Sequence, residues 1–361
     1  MPHVVMFGAG AVGGYVCAHL VRAGETVTVV DPWPEHVEKI RADGLRVSGT
    51  QGEFSVKVDA LHLADVQRLM RKPADIVIIA LKSFDTEWAA QLIGQYLAPQ
   101  GYVVSMQNGI NEPRIAAAVG WGRTVGCALN TIGVSTLGPG HLARHRVPGG
   151  GGSAVFRLGE LHGKKTARVE DLAKRLSAVD GSAVTENLWG ERWAKLTTNA
   201  MQMGLLGATG LTNQELFDWE PTRKLMIRAA GEAVLVGAAQ GYRIEPIIGV
   251  AGDVWVAAAE GGRDAVATVE QAFEAYLNRQ TPEGRAGRGS LGRDVAAGRR
   301  SEIDFINGEI AAAGTQAGIA TPVHSGLTAI VRQIERRERG QVRGNVLALY
   351  EAGTKVGGSE R

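Results

Sequence analysis

Lys195, Asn199 and Met203 recur every four residues in the segment Leu188-Trp189-Gly190-Glu191-Arg192-Trp193-Ala194-Lys195-Leu196-Thr197-Thr198-Asn199-Ala200-Met201-Gln202-Met203, so on a helix they share one face. A lysine among Trp193, Leu196 and Ala200 is expected to be partly desolvated, which favours its neutral amine and makes it a better proton donor and acceptor. A lysine whose stem merely covers apolar surface would show the same pattern. Two more polar candidates follow in Gly289-Ser290-Leu291-Gly292-Arg293-Asp294 and Ser301-Glu302-Ile303-Asp304. Ser301 and Asp304 have the spacing of a helix capping box, a sufficient structural reason for both. Glu302 is left over, although a glutamate in a first helical turn also suits the helix dipole.

The chain opens on a different chemistry. Val4-Val5-Met6-Phe7 reads as a buried strand running into Gly8-Ala9-Gly10-Ala11-Val12-Gly13 and an amphipathic segment, Tyr15 to Ala23. Gly8 permits the turn, Gly10 lets a diphosphate approach the backbone, and Gly13 lets helix and strand pack closely. A second strand, Thr26 to Val30, ends at Asp31, a carboxylate placed to accept hydrogen bonds from the ribose hydroxyls of an adenosine. Asp31-Pro32-Trp33-Pro34 also precedes a helix around Glu35 to Asp43, so the same aspartate suits an N-cap. Strand, glycine turn, helix and acid together predict a dinucleotide-binding unit.

The elements that must position these groups alternate between strand and helix, which predicts a parallel sheet covered on both faces. Asp75 to Ala80 is a buried strand ending at Leu81-Lys82-Ser83, and Gly101 to Ser105 is another ending at Gln107-Asn108-Gly109. Ligands collect at such carboxyl ends, so Lys82 and Asn108 are placed to meet cofactor or substrate, unless they are a solvated lysine and a turn former. Val125 to Val134 and Val155 to Leu158 read as strands joined by a flexible hairpin through Gly149 to Gly152. A helix near Thr166 to Val179 and a strand near Ala183 to Thr185 follow. Beyond Leu188 the chain reads as helical to about Gly340, and the glycine-rich end after Ala352 as a flexible tail. Expected domains are therefore 1–187 and 188–340, with 341–361 a helix end and tail.

Composition excludes other classes. The 361 residues are 45% apolar with net charge +2, so neither nucleic acid nor a membrane is expected as a partner. The run Arg336 to Arg339, broken by Glu338, reads as a solvated helix face. Cys17 and Cys127 lack metal-ligand spacing and suggest reduced packing residues in the cytoplasm, and no metal site is expected. No apolar run is long enough to span a bilayer, and the immediate start on a strand leaves no room for a signal peptide.

The N-terminal GAGAVGG, Leu81-Lys82-Ser83-Phe84-Asp85, Gln107-Asn108-Gly109, the Lys195 helix, Ser290…Asp294 and Ala297-Gly298-Arg299…Ser301-Glu302-Ile303-Asp304…Asn307-Gly308 stand in an order that resembles the ketopantoate reductases (2-dehydropantoate 2-reductases) from residue 1 to about 340. The resemblance implies an α/β Rossmann domain, an all-α C-terminal domain of the phosphogluconate dehydrogenase type and a substrate cleft between them. It implies reduction of 2-dehydropantoate to pantoate in pantothenate biosynthesis, with Lys195 as general acid and Glu302 orienting that ammonium and the substrate. Asn108 would hold the nicotinamide end or the reacting carbonyl, Asn199 polar groups of the substrate, and Ser290 its carboxylate. Lys82 would lie near cofactor or acid, and a homodimer is compatible with the pattern.

Two positions depart from that family. Its NADPH-using members usually carry an arginine after the second strand, whereas Asp31-Pro32 is followed by no basic residue before His36; a carboxylate repels a 2′-phosphate, so NAD(H) is favoured over the family's usual NADP(H). Met203 stands where relatives commonly have a second asparagine, which suits a more apolar branched or aromatic 2-oxo acid. A non-catalytic dinucleotide-binding regulator is the alternative from another class. An imine-forming opine-type dehydrogenase shares the two-domain plan, but no motif for it is present.

Overall fold

The computed structural model describes residues 1–130, 132–149 and 154–356, the last five of these by backbone alone. It divides into two compact units, Met1–Leu188 and Trp189–Arg361.

The first unit begins with β1 (His3–Phe7), α1 (Ala11–Arg22), β2 (Thr26–Asp31), α2 (Pro34–Asp43), β3 (Leu45–Gly49), β4 (Phe54–Val56) and β5 (Asp59–His62). It continues with β6 (Ala74–Ile79), α3 (Thr86–Gly94), β7 (Leu97–Ser105), α4 (Glu112–Val119), β8 (Thr124–Leu129), β9 (Val134–Gly138), β10 (His141–Arg144), β11 (Phe156–Glu160), α5 (Ala167–Leu176) and β12 (Ser182–Val184). Eight strands form one sheet in the order β12-β11-β8-β7-β6-β1-β2-β5, parallel except where β11 meets β8. Alternation along β1 explains why both faces need cover: Val4 and Met6 join a core with Val16, Leu20, Leu172 and Leu176, while Val5 and Phe7 join one with Ala90, Ile93 and Ile115.

The segment expected as one strand from Val125 to Val134 breaks after Leu129. Val134 opens β9 of a second, four-stranded sheet, order β4-β3-β10-β9, which the sequence reading did not foresee. Leu45, Val47 and Leu142 of this sheet share the buried cluster of α1. Arg144 and Asp180, both fully buried, form an ion pair behind α1, and Arg144 Nη1 donates to the Tyr15 hydroxyl at 3.2 Å. Burial pushes the Asp180 carboxyl up, but Arg144 and the Gly181 and Gly149 N–H groups outweigh this and hold it below the usual range. Gly149 N–H reaches Asp180 Oδ1 at 3.0 Å, whereas the rest of the expected hairpin tip, 150–152, lies outside the described residues. Cys17 and Cys127 are buried and not joined in a disulfide, and burial pushes the Cys17 thiol up to about 12.

The second unit is helical: α6 (Leu188–Thr209), α7 (Asn213–Asp218), α8 (Glu220–Ala239), α9 (Gly252–Ala259), α10 (Arg263–Asn278), α11 (Pro282–Ala286), α12 (Gly289–Ala296), α13 (Ile303–Ala317), α14 (Pro322–Glu335) and α15 (Leu347–Val356). Two local expectations are corrected. The arginine run is not a helix face, because α14 ends at Glu335 and Arg337 takes φ 62° in the turn that follows. The segment from 341 packs on α6: Gln341 Nε2 donates to the Gly207 carbonyl at 3.0 Å and Asn345 Nδ2 to that of Ala208 at 2.8 Å. Helix α15 continues past Ala352 to Val356, and the tail beyond lies outside the described residues.

Candidate active site

In the first unit the glycine turn is fixed by its own neighbours. Gly8 has φ 101°, accessible to glycine without a side-chain clash, and a Cβ on Gly13 would overlap the Gly8 carbonyl oxygen, so strand and helix touch here as the spacing predicts. A Cβ on Gly10 would project into open space. Helix α1 has no side-chain cap and no acid in its first turn, and Gly10, Ala11 and Val12 are exposed or half-buried. That cradle fits a dinucleotide diphosphate, whose charge would complement the free N–H groups at the turn.

Asp31 is 6% exposed and already supports this turn: Oδ2 accepts from Ala9 N–H at 2.6 Å and Oδ1 from Trp33 N–H at 2.9 Å. It is not the N-cap of α2, a position held by Trp33, because the bond to Trp33 closes a turn one step earlier. Each oxygen keeps a lone pair for a ribose hydroxyl. His36, noted in the sequence only as the first basic residue after Asp31, completes the frame. Its Nδ1 accepts from Gly140 N–H at 2.9 Å, which leaves Nε2 as the donor to the Ala9 carbonyl at 2.9 Å. The ring is neutral in this arrangement and offers no cation to a 2′-phosphate. Only contacts between distant segments reveal that role.

The carboxyl ends of β6 and β7 are tied by three residues to which the sequence reading gave no role. Gln107 Nε2 donates to the Leu81 carbonyl at 3.0 Å, Ser83 Oγ to the Asn108 carbonyl at 2.8 Å, and Asn111 Nδ2 to the same carbonyl at 2.7 Å. Asn108 thus enters this lattice through its main chain, with its side chain half-buried, and Lys82 sits half-buried just before Ser83.

In the second unit α6 carries Lys195, Asn199 and Met203 in successive turns; Asn199 is buried and the other two are half-buried. Ser290, in the first turn of α12, points its Oγ at the Met203 sulfur, 3.9 Å away. This meeting depends on close packing: a Cβ on Gly289 would reach Leu206 at 3.0 Å and one on Gly292 at 3.4 Å. Asp294 is a brace, its Oδ1 2.8 Å from Arg299 Nη2 and its carbonyl accepting Arg299 N–H at 2.9 Å. The expected capping box at Ser301 and Asp304 does not form. Helix α13 starts one residue later than that box requires, Ser301 N–H donates to Glu335 Oε1 at 2.7 Å, and Asp304 pairs with Arg332 at 2.7 Å. Glu302 becomes the N-cap residue and is 3% exposed. Five residues on, Asn307 Nδ2 donates to the Ala200 carbonyl at 2.9 Å and so pins α13 to α6 beside Asn199. Among the described residues no group of histidine, cysteine or carboxylate side chains could hold a metal ion, and no helix is long and apolar enough to cross a membrane.

Family comparison accounts for both halves. Residues 4–156 match the model described as ketopantoate reductase PanE/ApbA, and residues 187–335 match the model of its C-terminal region. This chain belongs to the ketopantoate reductase family. It is an oxidoreductase of the kind that acts on CH–OH groups, from a family that depends on NAD(P)H. The 2-dehydropantoate 2-reductase of Halobacterium salinarum is 28% identical over 92% of this chain and 99% of its own length. That of Mesorhizobium japonicum is 30% identical over 70% and 82%. Among solved structures, a family ketopantoate reductase from Ralstonia eutropha covers 94% of this chain and 100% of its own, with TM-score 0.75 and 28% identity. D-mandelate dehydrogenase with NADH and anilino(oxo)acetate covers 93% and 99% at TM-score 0.76 and 23% identity, which shows a shared fold.

Proposed function

We propose that this chain reduces a 2-oxo acid to the 2-hydroxy acid with NADH, with 2-dehydropantoate as the leading substrate and a branched or aromatic 2-oxo acid with a more apolar tail as the alternative. The observation that carries the reading is the contact of Ser290 with Met203, one helical turn from Asn199 and two from Lys195. It gathers a hydroxyl donor, an amide and an ammonium along one face of one helix, the groups a 2-oxo acid needs.

Bound NADH supplies the hydride that reaches C2. Lys195 donates its ammonium proton to the carbonyl oxygen as negative charge develops there, and solvent reprotonates the amine. Glu302 orients that ammonium and the substrate, Ser290 turns its hydroxyl from the weakly accepting sulfur to the substrate carboxylate, and Asn199 binds the remaining polar groups. In the first unit, Gly8 to Gly13 would hold the diphosphate, Asp31 the adenosine ribose and Asn108 the nicotinamide end or the reacting carbonyl, with Lys82 near the cofactor or acid group. Asp31 and the neutral His36 support NADH over NADPH, and the buried reduced cysteines support the cytoplasm as the compartment.

Met203 supports the apolar alternative, because a substrate hydroxyl buried against a thioether lacks its partner, at about 1–3 kcal/mol or roughly five- to 150-fold in kcat/KM. NADH oxidation with 2-dehydropantoate and 2-oxoisovalerate, in the unmodified enzyme and in Met203→Asn, tests this. The ratio of kcat/KM should move toward 2-dehydropantoate in the variant; an unchanged ratio would make Met203 ordinary packing. NADH binding without turnover of any 2-oxo acid would instead favour the regulator.

A further inference from the structure

The end of β2 carries one aromatic side chain that the reaction does not use. Trp33 is 40% exposed, one of the few large apolar side chains left in water, yet it is held in place on three counts. Pro32 and Pro34 fix the backbone on either side of it. Its N–H donates to Asp31 Oδ1 at 2.9 Å. Its indole lies parallel to the imidazole of His36, with 4° between the planes and centroids 5.1 Å apart. His36 is itself immobile, being 1% exposed with one ring nitrogen on Gly140 and the other on Ala9. A rigid indole is thus backed by a ring fastened to the glycine turn, and it stands beside the carboxylate that receives the adenosine ribose.

We propose that Trp33 is the stacking platform for the adenine base of the dinucleotide, with Asp31 taking the ribose and His36 the support beneath the indole. This deepens the cofactor reading and rests on it. The base is attached to the ribose that Asp31 accepts, so it must lie within a few ångströms of this side chain, and a purine stacks on a tryptophan through dispersion without needing a hydrogen bond. The platform also occupies the stretch after β2 with an apolar ring, where a 2′-phosphate would need a cation.

Calorimetric titration with ADP-ribose, which lacks the nicotinamide, separates this role from catalysis. Removing one base stack should weaken binding roughly tenfold in Trp33→Ala, and Trp33→Phe should retain most of the affinity. A merely structural indole would also be rescued by phenylalanine, so the second readout is fluorescence. ADP-ribose should quench part of the tryptophan emission of the unmodified protein, and that quench should vanish in Trp33→Phe although calorimetry still reports binding. Equal ADP-ribose affinity in Trp33→Ala, or an undiminished quench in Trp33→Phe, would overturn the platform while leaving the cofactor reading intact. Failure of the unmodified protein to bind either ADP-ribose or NADH would overturn both.

Discussion

At the scale of single residues, Asp31 is a structural carboxylate to which the proposed function adds a second role, in cofactor choice. Its oxygens satisfy the N–H groups of Ala9 and Trp33, and Ala9 is fully buried, so Asp31→Ala strands a buried donor at a cost of about 1–3 kcal/mol. Both cofactors should therefore bind that variant more weakly than the unmodified enzyme. NADPH should lose less than NADH, because the repulsion of its 2′-phosphate goes with the carboxylate. Titrating the two cofactors checks this, and a preference of the unmodified enzyme for NADPH would refute the assignment. The glycine turn was legible in the sequence because its strand, turn and helix spacing is local. His36 and Gln107 were not, since what they do depends on Gly140, Leu81 and Thr86, residues remote in the chain and brought near only by the fold.

At the scale of elements, helix α1 is clamped between two sheets. A Cβ on Gly14 would come 2.5 Å from the Ala9 carbonyl oxygen and 2.6 Å from Leu142 of β10, so Gly14 lets the second sheet lie against α1. Gly14→Ala should destabilise the enzyme by about 1–3 kcal/mol through overpacking, read as a lowered denaturant midpoint, and should weaken NADH binding. An unchanged midpoint would show that the two sheets separate at no cost. Strands β1, β2, β6 and the end of β7 were readable because strands buried on both faces are continuous apolar runs. Strands β9 and β10 were not, since Val134 to Arg144 mixes polar and apolar residues and β10 takes its register from β3, whose partners stand 95 positions earlier. The capping box failed for a related reason: Glu335 and Arg332 of α14 claim the groups at Ser301 and Asp304 that local spacing assigned to each other.

At the scale of the whole molecule, stability and activity should respond to pH through different groups. Burial raises the Glu232 carboxyl to about 7, although the N–H groups of Val323 and His324 at the start of α14 hold it the other way. A carboxyl raised on folding stabilises fully below its unfolded value of about 4.5, and that contribution is lost as pH rises toward 7. His324 runs oppositely: burial lowers it to about 4, so stability is lost as pH falls from about 6.5 toward 4. Because the two run oppositely over nearly the same range, denaturant midpoints should change little between pH 4.5 and 6.5 in the unmodified enzyme and should rise with pH in Glu232→Gln; a flat profile in that variant would assign the compensation to another group. In the proposed reaction the chemistry rests instead on Lys195, and its removal is the most direct test of that proposal. Lys195→Ala should lower kcat for 2-oxo acid reduction by roughly two to four orders of magnitude while NADH affinity stays within about twofold. Near-normal turnover in that variant, with NADH bound as before, would contradict the account.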